Sequence, residues 1–311
     1  MESKRRVKVT RRDFLLRSTS AVATSRILAA CDTTPKGDAG PKRIPITMCH
    51  GIRSTGDKPL TTAHLDRLMG TASEMGFSSI DYDDLHAWRR GASQLPPRPI
   101  MIDFDHPVTS MRYEVFDVLN RYGYHGTLFI NTAGIEAMHD GPIPERAERD
   151  FMTWDEIGEL AAAGWHIGAH TVNHPNLSKL SQEDPTGEKI RAELAECDAT
   201  IERRIGIKPR DFAFTGTSWS SMAEKAVMER YRFGRLWIIG NIYQVDGESM
   251  RYAELTGVDG PDEADGGPPH AARYITRTSN PYRLPSMEIQ GMIHTVEAFR
   301  SYLEGAIEFV G

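Results

Sequence analysis

Apolar and polar positions alternate in blocks along most of this chain. Short apolar runs at residues 44–49, 77–82, 99–105, 125–131, 165–169, 211–214 and 233–239 read as buried strands. Between them, residues 61–75, 83–90, 108–122, 153–163, 185–205 and 220–230 carry apolar side chains at helical spacing. Thr61 and Thr153 are N-cap residues, and Gly76, Gly123, Gly164 and Gly206 are helix stops. Short strands at 274–276 and 286–293 precede a last helix at 295–309. Residues 257–271, rich in Gly, Pro and acid without periodicity, predict an exposed, mobile loop.

Strand and helix in regular alternation imply βαβ units, hence an α/β fold built on a parallel sheet or barrel. Ligands of such folds bind beyond the carboxyl ends of the strands. Those ends are where this chain concentrates its chemistry. One apolar strand stops abruptly in Asp103-Phe104-Asp105-His106-Pro107. Another, Trp165-His166-Ile167-Gly168-Ala169, delivers His170-Thr171-Val172-Asn173-His174, and a late strand leads to His294. On one helical turn, histidines at i and i+4 share a face. Two imidazole nitrogens there reach a single cation at ~2.0–2.1 Å each. Alone, the pair reads equally well as two polar residues at a strand-to-helix junction. The shared rim location turns the balance towards a metal.

Composition sets the outer bounds. With 311 residues, 40% of them hydrophobic, the chain can bury a sizeable core as one large domain or two small ones. No run of eighteen apolar residues appears, so nothing in the sequence spans a membrane as a helix. Residues 1–30 read as a processing segment. Lys4, Arg5, Arg6 and Lys8 lead into Thr10-Arg11-Arg12-Asp13-Phe14-Leu15, which looks like a twin-arginine export signal. Leu28-Ala29-Ala30-Cys31 then resembles a lipobox, with Cys31 as the lipidated residue. A basic arm for nucleic acid or membrane is the other reading, and Arg17 and Arg26 speak for it. The order of twin arginine, apolar stretch and small-small-Cys favours an exported lipoprotein, anchored by lipid in the cell envelope. Residues 31–43 form a flexible tether.

Removing residues 1–30 changes the charge. Eight Lys/Arg and two Asp/Glu leave with them, so 29 basic residues face 41 acidic ones, a net charge of −12 against −6 for the whole chain. So acidic a body makes no nucleic-acid binder. Cys49 and Cys197 remain, and buried free thiols describe them better than a disulfide or a metal site.

From Ile44 to the final helix the chain resembles the polysaccharide deacetylases of the NodB-homology type. The opening strand Ile46-Thr47-Met48-Cys49-His50 and the Asp103–Pro107 segment correspond to family motifs. So do Gly123-Tyr124-His125-Gly126-Thr127-Leu128-Phe129 and His170–His174 with its following Pro175 and Leu177. The resemblance implies a distorted (β/α) barrel of irregular strand number over residues 44–311, a divalent metal, most simply zinc, and an N-acetylated polysaccharide as partner. It also implies roles. Aligned without a gap, Asp105 is the general base, and His106, His170 and His174 hold the metal. A rival register makes Asp103 the base and Asp105 the third ligand. The gapless one is preferred because Phe104-Asp105 and the distance to Thr127 then fit. His294 would protonate the leaving amine, and His50 and Trp237 would contact substrate. Two departures stand out. The family's third-motif arginine is missing from Phe212-Ala213-Phe214-Thr215-Gly216, and only Trp237 stands in for the tryptophan motif.

The expected function is therefore removal of N-acetyl groups from amino sugars of a polysaccharide or of peptidoglycan. Two rivals stay open: a degenerate surface lipoprotein that binds carbohydrate without cleaving it, and a small-molecule amidohydrolase of the same fold. Asp103 and His50 have structural readings as well, the first as a helix cap and the second as a hydrogen-bonded core histidine.

Overall fold

A computed structural model describes residues 43–139 and 141–307. Cys31, the twin-arginine segment and all of the tether but Arg43 lie outside the described residues. Twelve strands are described: β1 (Ile44–Cys49), β2 (Ser78–Ser79), β3 (Pro99–Asp105), β4 (Thr127–Ile130), β5 (His166–Ala169), β6 (Asp211–Ala213), β7 (Ser218–Trp219), β8 (Phe233–Ile238), β9 (Ile242–Val245), β10 (Glu248–Arg251), β11 (Tyr274–Ile275) and β12 (Leu284–Glu288). The helices are α1 (Thr62–Glu74), α2 (Tyr82–Arg89), α3 (Glu114–Arg121), α4 (Ala133–His139), α5 (Trp154–Ala162), α6 (Leu177–Glu183), α7 (Glu188–Ile205), α8 (Ser221–Met228), α9 (Tyr252–Thr256) and α10 (Val296–Ile307).

Seven parallel strands close into a barrel in the order β1, β12, β8, β6, β5, β4, β3 and back to β1. Closure rests on β1, which pairs Ile46–Cys49 with Met101–Phe104 on one side and Thr47–Met48 with Met287–Glu288 on the other. Every residue of β1 and β3 is buried, as strands covered on both faces must be. The barrel is the distorted (β/α) type that the resemblance implies.

Strand alternation divides the core in two. Ile100, Ile102, Phe104, Leu128, Ile130, Ile167, Leu236 and Met287 face outwards and pack with the helices in the larger cluster. Ile44, Ile46, Met101, Phe129, Ala213, Phe233 and Leu284 form a smaller cluster from the alternate positions. Continuing those alternate positions towards the carboxyl ends gives Asp103 and Asp105 on β3, Arg235 and Trp237 on β8, and Ser286 and Glu288 on β12. A period of two thus carries the barrel interior from apolar to charged within one strand length.

Local differences from the sequence pattern have identifiable causes. Residues 108–122 form a 3₁₀ turn (Thr109–Met111) and then α3, rather than one helix. Residues 77–82 give up their end to α2, because the Asp81 side chain caps Asp83 and Asp84 in a capping box. The short β7, β9 and β10 make a separate three-stranded sheet that the sequence pattern did not predict. The acidic loop is tied down rather than loose: Asp262 pairs with Arg251 and Asp265 with Arg273. Cys49 and Cys197 are both buried and free. Among the described residues, no helix is long and apolar enough to cross a membrane.

Candidate metal centre

Three imidazoles converge at the carboxyl rim. The ligand nitrogens of His106, His170 and His174 lie within 4.8 Å of one another. His106 follows β3 directly and His170 follows β5, so two strand ends on either side of β4 and one loop build the cluster. That loop is not helical, which corrects the helical-face reading of the i, i+4 spacing. Thr171 (φ 68°) and His174 (φ 55°) take left-handed backbone, as does His106 (φ 66°). Such conformations cost L-residues energy and persist where the surroundings fix them. Here Glu193 of α7 does so, accepting from the backbone N–H of Val172 and Asn173 at 2.9 Å each and from the Asn173 side chain at 2.7 Å.

The ring orientations suit a cation. His170 Nδ1 donates to the Ala213 carbonyl at 2.8 Å, which leaves Nε2 as the bare acceptor, fully buried and without a hydrogen-bond partner. His106 Nδ1 faces the Asn131 amide oxygen at 2.8 Å. Ligating histidines are oriented in this way by what their other nitrogen donates to. Burial pushes the pKa of His106 and His170 down, helped at His170 by the neighbouring imidazoles. His174 falls to about 4 for the same two reasons. All three rings are therefore neutral near pH 7, the state in which imidazole binds metal. The residues present fit a zinc-like ion.

Beside the cluster, Asp105 is clamped by Arg235, which is wholly buried and makes an ion pair with it. Burial would raise the Asp105 pKa. The guanidinium outweighs it and holds the carboxyl well below the usual range. Asp103, two residues deeper, lies 3.5 Å from Arg235 Nε and accepts from the Tyr82 hydroxyl at 2.7 Å. Burial pushes its pKa up to about 7 against the pull of Arg235. Asp103 thus forms part of the clamp beneath Asp105, neither lining the cleft nor capping a helix. Asp105 Oδ2 lies 3.7 Å from the bare His170 Nε2, so the third-ligand place is open to Asp105 as well as to His106, whereas Asp103 is set back from the cleft.

The sequence pattern points to the wrong strand for Arg235. It stands on β8, whose register places it opposite Ala213 of β6, inside the segment that lacks the expected arginine. A lone arginine within Phe233-Gly234-Arg235-Leu236-Trp237-Ile238 was the available sign.

A cleft of about 330 Å³ opens over these groups, lined among others by His50, Asp105, His106, His174, Trp237 and Glu288. The His50 ring stacks on His106 at 5.3 Å and meets Trp237 edge-on at 5.2 Å, so both residues expected to touch substrate face it. His294 does not. The last barrel strand ends at Glu288, and residues 289–293 form a turn that carries the His294 ring onto His64, 4.6 Å away on α1. Glu288 occupies the cleft instead, and the sequence pattern gave it no role.

Comparison with known proteins points to one family. Residues 92–231 match the family profile described as polysaccharide deacetylase. The putative polysaccharide deacetylase YxkH of Bacillus subtilis is 22% identical over 148 residues, covering 48% of this chain and 49% of that protein. The chain thus matches no more than about half the length of the curated relatives it resembles. The Streptococcus pyogenes deacetylase PplD, solved with acetate, superposes with a TM-score of 0.62 at 14% identity, covering 85% of this chain and 99% of that one. The polysaccharide deacetylase BC0361 of Bacillus cereus gives 0.59 at 16% identity, covering 85% and 69%. At such identities the likeness is one of fold. Family match and fold together support a polysaccharide deacetylase domain of the NodB type in this chain.

Proposed function

We propose that this protein is a metal-dependent N-deacetylase acting on N-acetylated amino sugars of a polysaccharide or of peptidoglycan. The observation that carries the reading is the convergence of three neutral imidazoles beside a carboxylate held ionised by a buried arginine, at the rim of a barrel. His106, His170 and His174 would hold the ion, and zinc accepts a three-histidine set. When bound, such an ion supplies a polarised water and a Lewis acid for an amide carbonyl. Asp105 takes the proton of the attacking water, and Arg235 keeps it ionised for that task. His50 and Trp237 form the wall against which a sugar ring rests. Arg235 also answers the missing third-motif arginine, which weighs against the reading of a binder without activity. Nothing in the cleft favours the small-molecule alternative.

The test is direct. Purified protein should carry about one divalent ion per chain and release acetate from N-acetylglucosamine oligomers, and a chelator should stop the release. Bound metal without acetate from any N-acetylated glycan would refute the enzyme reading. Export and lipid anchoring through Cys31 belong to the same proposal, supported by the order of residues in segment 1–31. Cys31→Ser should move the protein from the membrane to the soluble fraction, and unchanged partitioning would refute the anchor.

A further inference from the structure

The charges that line the cleft are not equally matched. Asp105 is paired with the buried Arg235. Glu288, the other carboxylate there, accepts from Trp237 Nε1–H at 2.8 Å and from the Gln290 backbone N–H at 3.0 Å, with His50 Nδ1 3.4 Å away. Both carboxylates are thus provided for within the protein. Arg53 lines the same cleft and is exposed. Among the described residues its guanidinium meets no carboxylate and makes no hydrogen bond. We propose, on the deacetylase reading, that Arg53 binds an anionic substituent of the glycan, a carboxylate or a phosphodiester. The preferred substrate is then an acidic amino-sugar polymer.

The backbone holds Arg53 at the cleft. After β1 the chain turns at Gly51, whose φ of 89° lies in the left-handed region. A Cβ at Gly51 would come within 2.6 Å of Ser110 Oγ, so the turn packs closely on the 3₁₀ segment. Ser110 Oγ accepts from the Ile52 N–H at 3.0 Å. Arg53 then forms a β-bridge with Leu60, donating its N–H to the Leu60 carbonyl at 2.9 Å. Residues 54–59 are therefore pinched off as a loop, and Arg53 stands at its fixed base. The acid of that loop, Asp57, is exposed and does not line the cleft.

Other cations stand on the same flank. Lys58 Nζ donates to the Gly291 carbonyl at 2.5 Å, and the Lys58 carbonyl accepts from Gln290 Nε2 at 2.9 Å. The loop is thereby tied to Gln290, which lines the cleft. On α1, Arg67 Nη2 lies 2.9 Å from His64 Nδ1. Burial, then His64 and Lys58, push the His294 pKa down, as a positive surrounding does. The acids of α1 are engaged elsewhere, Asp66 with Arg121 and Glu74 with Arg300. Such a flank favours an anionic polymer laid along it. The planar fork of Arg53 adds a specific contact, because carboxylate and phosphate oxygens accept its N–H groups in pairs.

Three glycans test the proposal by competition for the same protein. An N-acetylglucosamine oligomer is the neutral reference. Peptide-free peptidoglycan strands carry a carboxylate on alternate sugars, and an N-acetylglucosamine polymer substituted with glycerol phosphate carries the phosphodiester. The unaltered protein should deacetylate one acidic glycan with a higher kcat/KM than the neutral oligomer, and the one preferred identifies the anion. Arg53→Gln should cut that preference about 10–100-fold, mainly through KM. Arg53→Lys should keep part of it, and Arg53→Glu should turn it towards the neutral oligomer. Salt at about 1 M, where the screening length is ~3 Å, should shrink the preference of the unaltered protein. Equal kcat/KM on neutral and acidic glycans would overturn the proposal, as would a preference that Arg53→Gln leaves intact. Loss of binding to phosphatidylglycerol vesicles in Arg53→Gln, with the glycan preference intact, would assign the arginine to a membrane surface and overturn it too. Acetate released from none of the three glycans would instead remove the deacetylase reading, and this inference with it.

Discussion

Arg235 and Asp105 form an ion pair wholly inside the barrel, 130 positions apart in sequence, with Asp103 sharing the same guanidinium. Breaking a buried pair from one side leaves the other charge stranded and costs about 3–5 kcal/mol. Arg235→Met should therefore lower stability by that order in urea denaturation, since two carboxyls lose their shared cation. Acetate release should fall steeply as well, because Asp105 loses what keeps it ionised and aimed. Arg235→Lys keeps the charge but not the planar fork that reaches both carboxyls, and should fall between the two. Stability unchanged in Arg235→Met would show that the clamp contributes little.

Asn131 gives a test of the proposed metal centre that leaves all three candidate ligands in place. Its amide oxygen faces His106 Nδ1 at 2.8 Å from the end of β4. Groups that orient a ligating histidine are worth about 10–100-fold in metal affinity. Asn131→Ala should weaken metal binding by that factor in a competition titration with a chromophoric chelator, with little change in fold. His106→Ala should lose more, and His106→Asp should recover part, because a carboxylate oxygen is an acceptable zinc ligand. Metal affinity untouched by His106→Ala would return the third ligand to Asp105.

What the sequence disclosed and what it hid divide along the range of the interactions. The alternation of strands and helices is local, and it leads to the α/β barrel. His170 and His174 sit four residues apart, and His106 sits beside Asp105, so the cluster is legible from short segments. Arg235 and Glu288 act on β3 and on the cleft across strand pairings that no local pattern records. Strand β12 misled for a physical reason. Ile289, Met292 and Ile293 continue the apolar run past Glu288, yet they pack on the core from a turn. The run therefore reads as a longer strand and pulls His294 into a site that the chain never brings it to. The left-handed backbone at His106, Thr171 and His174 is equally invisible to a helical-spacing rule.

Acid should unfold the metal-free protein earlier than its carboxylates alone would dictate. Burial depresses the folded-state pKa of His170 and His106 and takes His174 to about 4, whereas an unfolded chain has histidines near ~6.5. Below ~6.5 the unfolded state binds protons that the folded state refuses, so stability is lost as the pH falls. The stabilising contribution is whole above ~6.5 and is lost as the pH drops towards about 4. Urea midpoints of chelated protein should decline over that window, and bound metal should flatten the decline at its upper end. His174→Asn in the chelated protein should show a shallower slope. An equal slope would mean that His174 is not held neutral by the fold.

Gly168 tests how tightly the base of the metal loop is packed. It lies on β5 two residues before His170, opposite Phe129 of β4. A Cβ there would press into the Phe129 ring and come within 3.2 Å of the Asp211 carbonyl. The ring cannot retreat freely, because the Arg235 guanidinium packs over it, 4.9 Å from the ring centroid. Overpacking of this kind costs about 1–3 kcal/mol. Gly168→Ala should lose that much stability, and by shifting β5 it should also weaken metal binding through His170. Phe129→Leu in the same chain should restore part of both by making room. Loss of stability with metal affinity intact would show that the His170 loop is positioned by Glu193 and the Ala213 carbonyl alone.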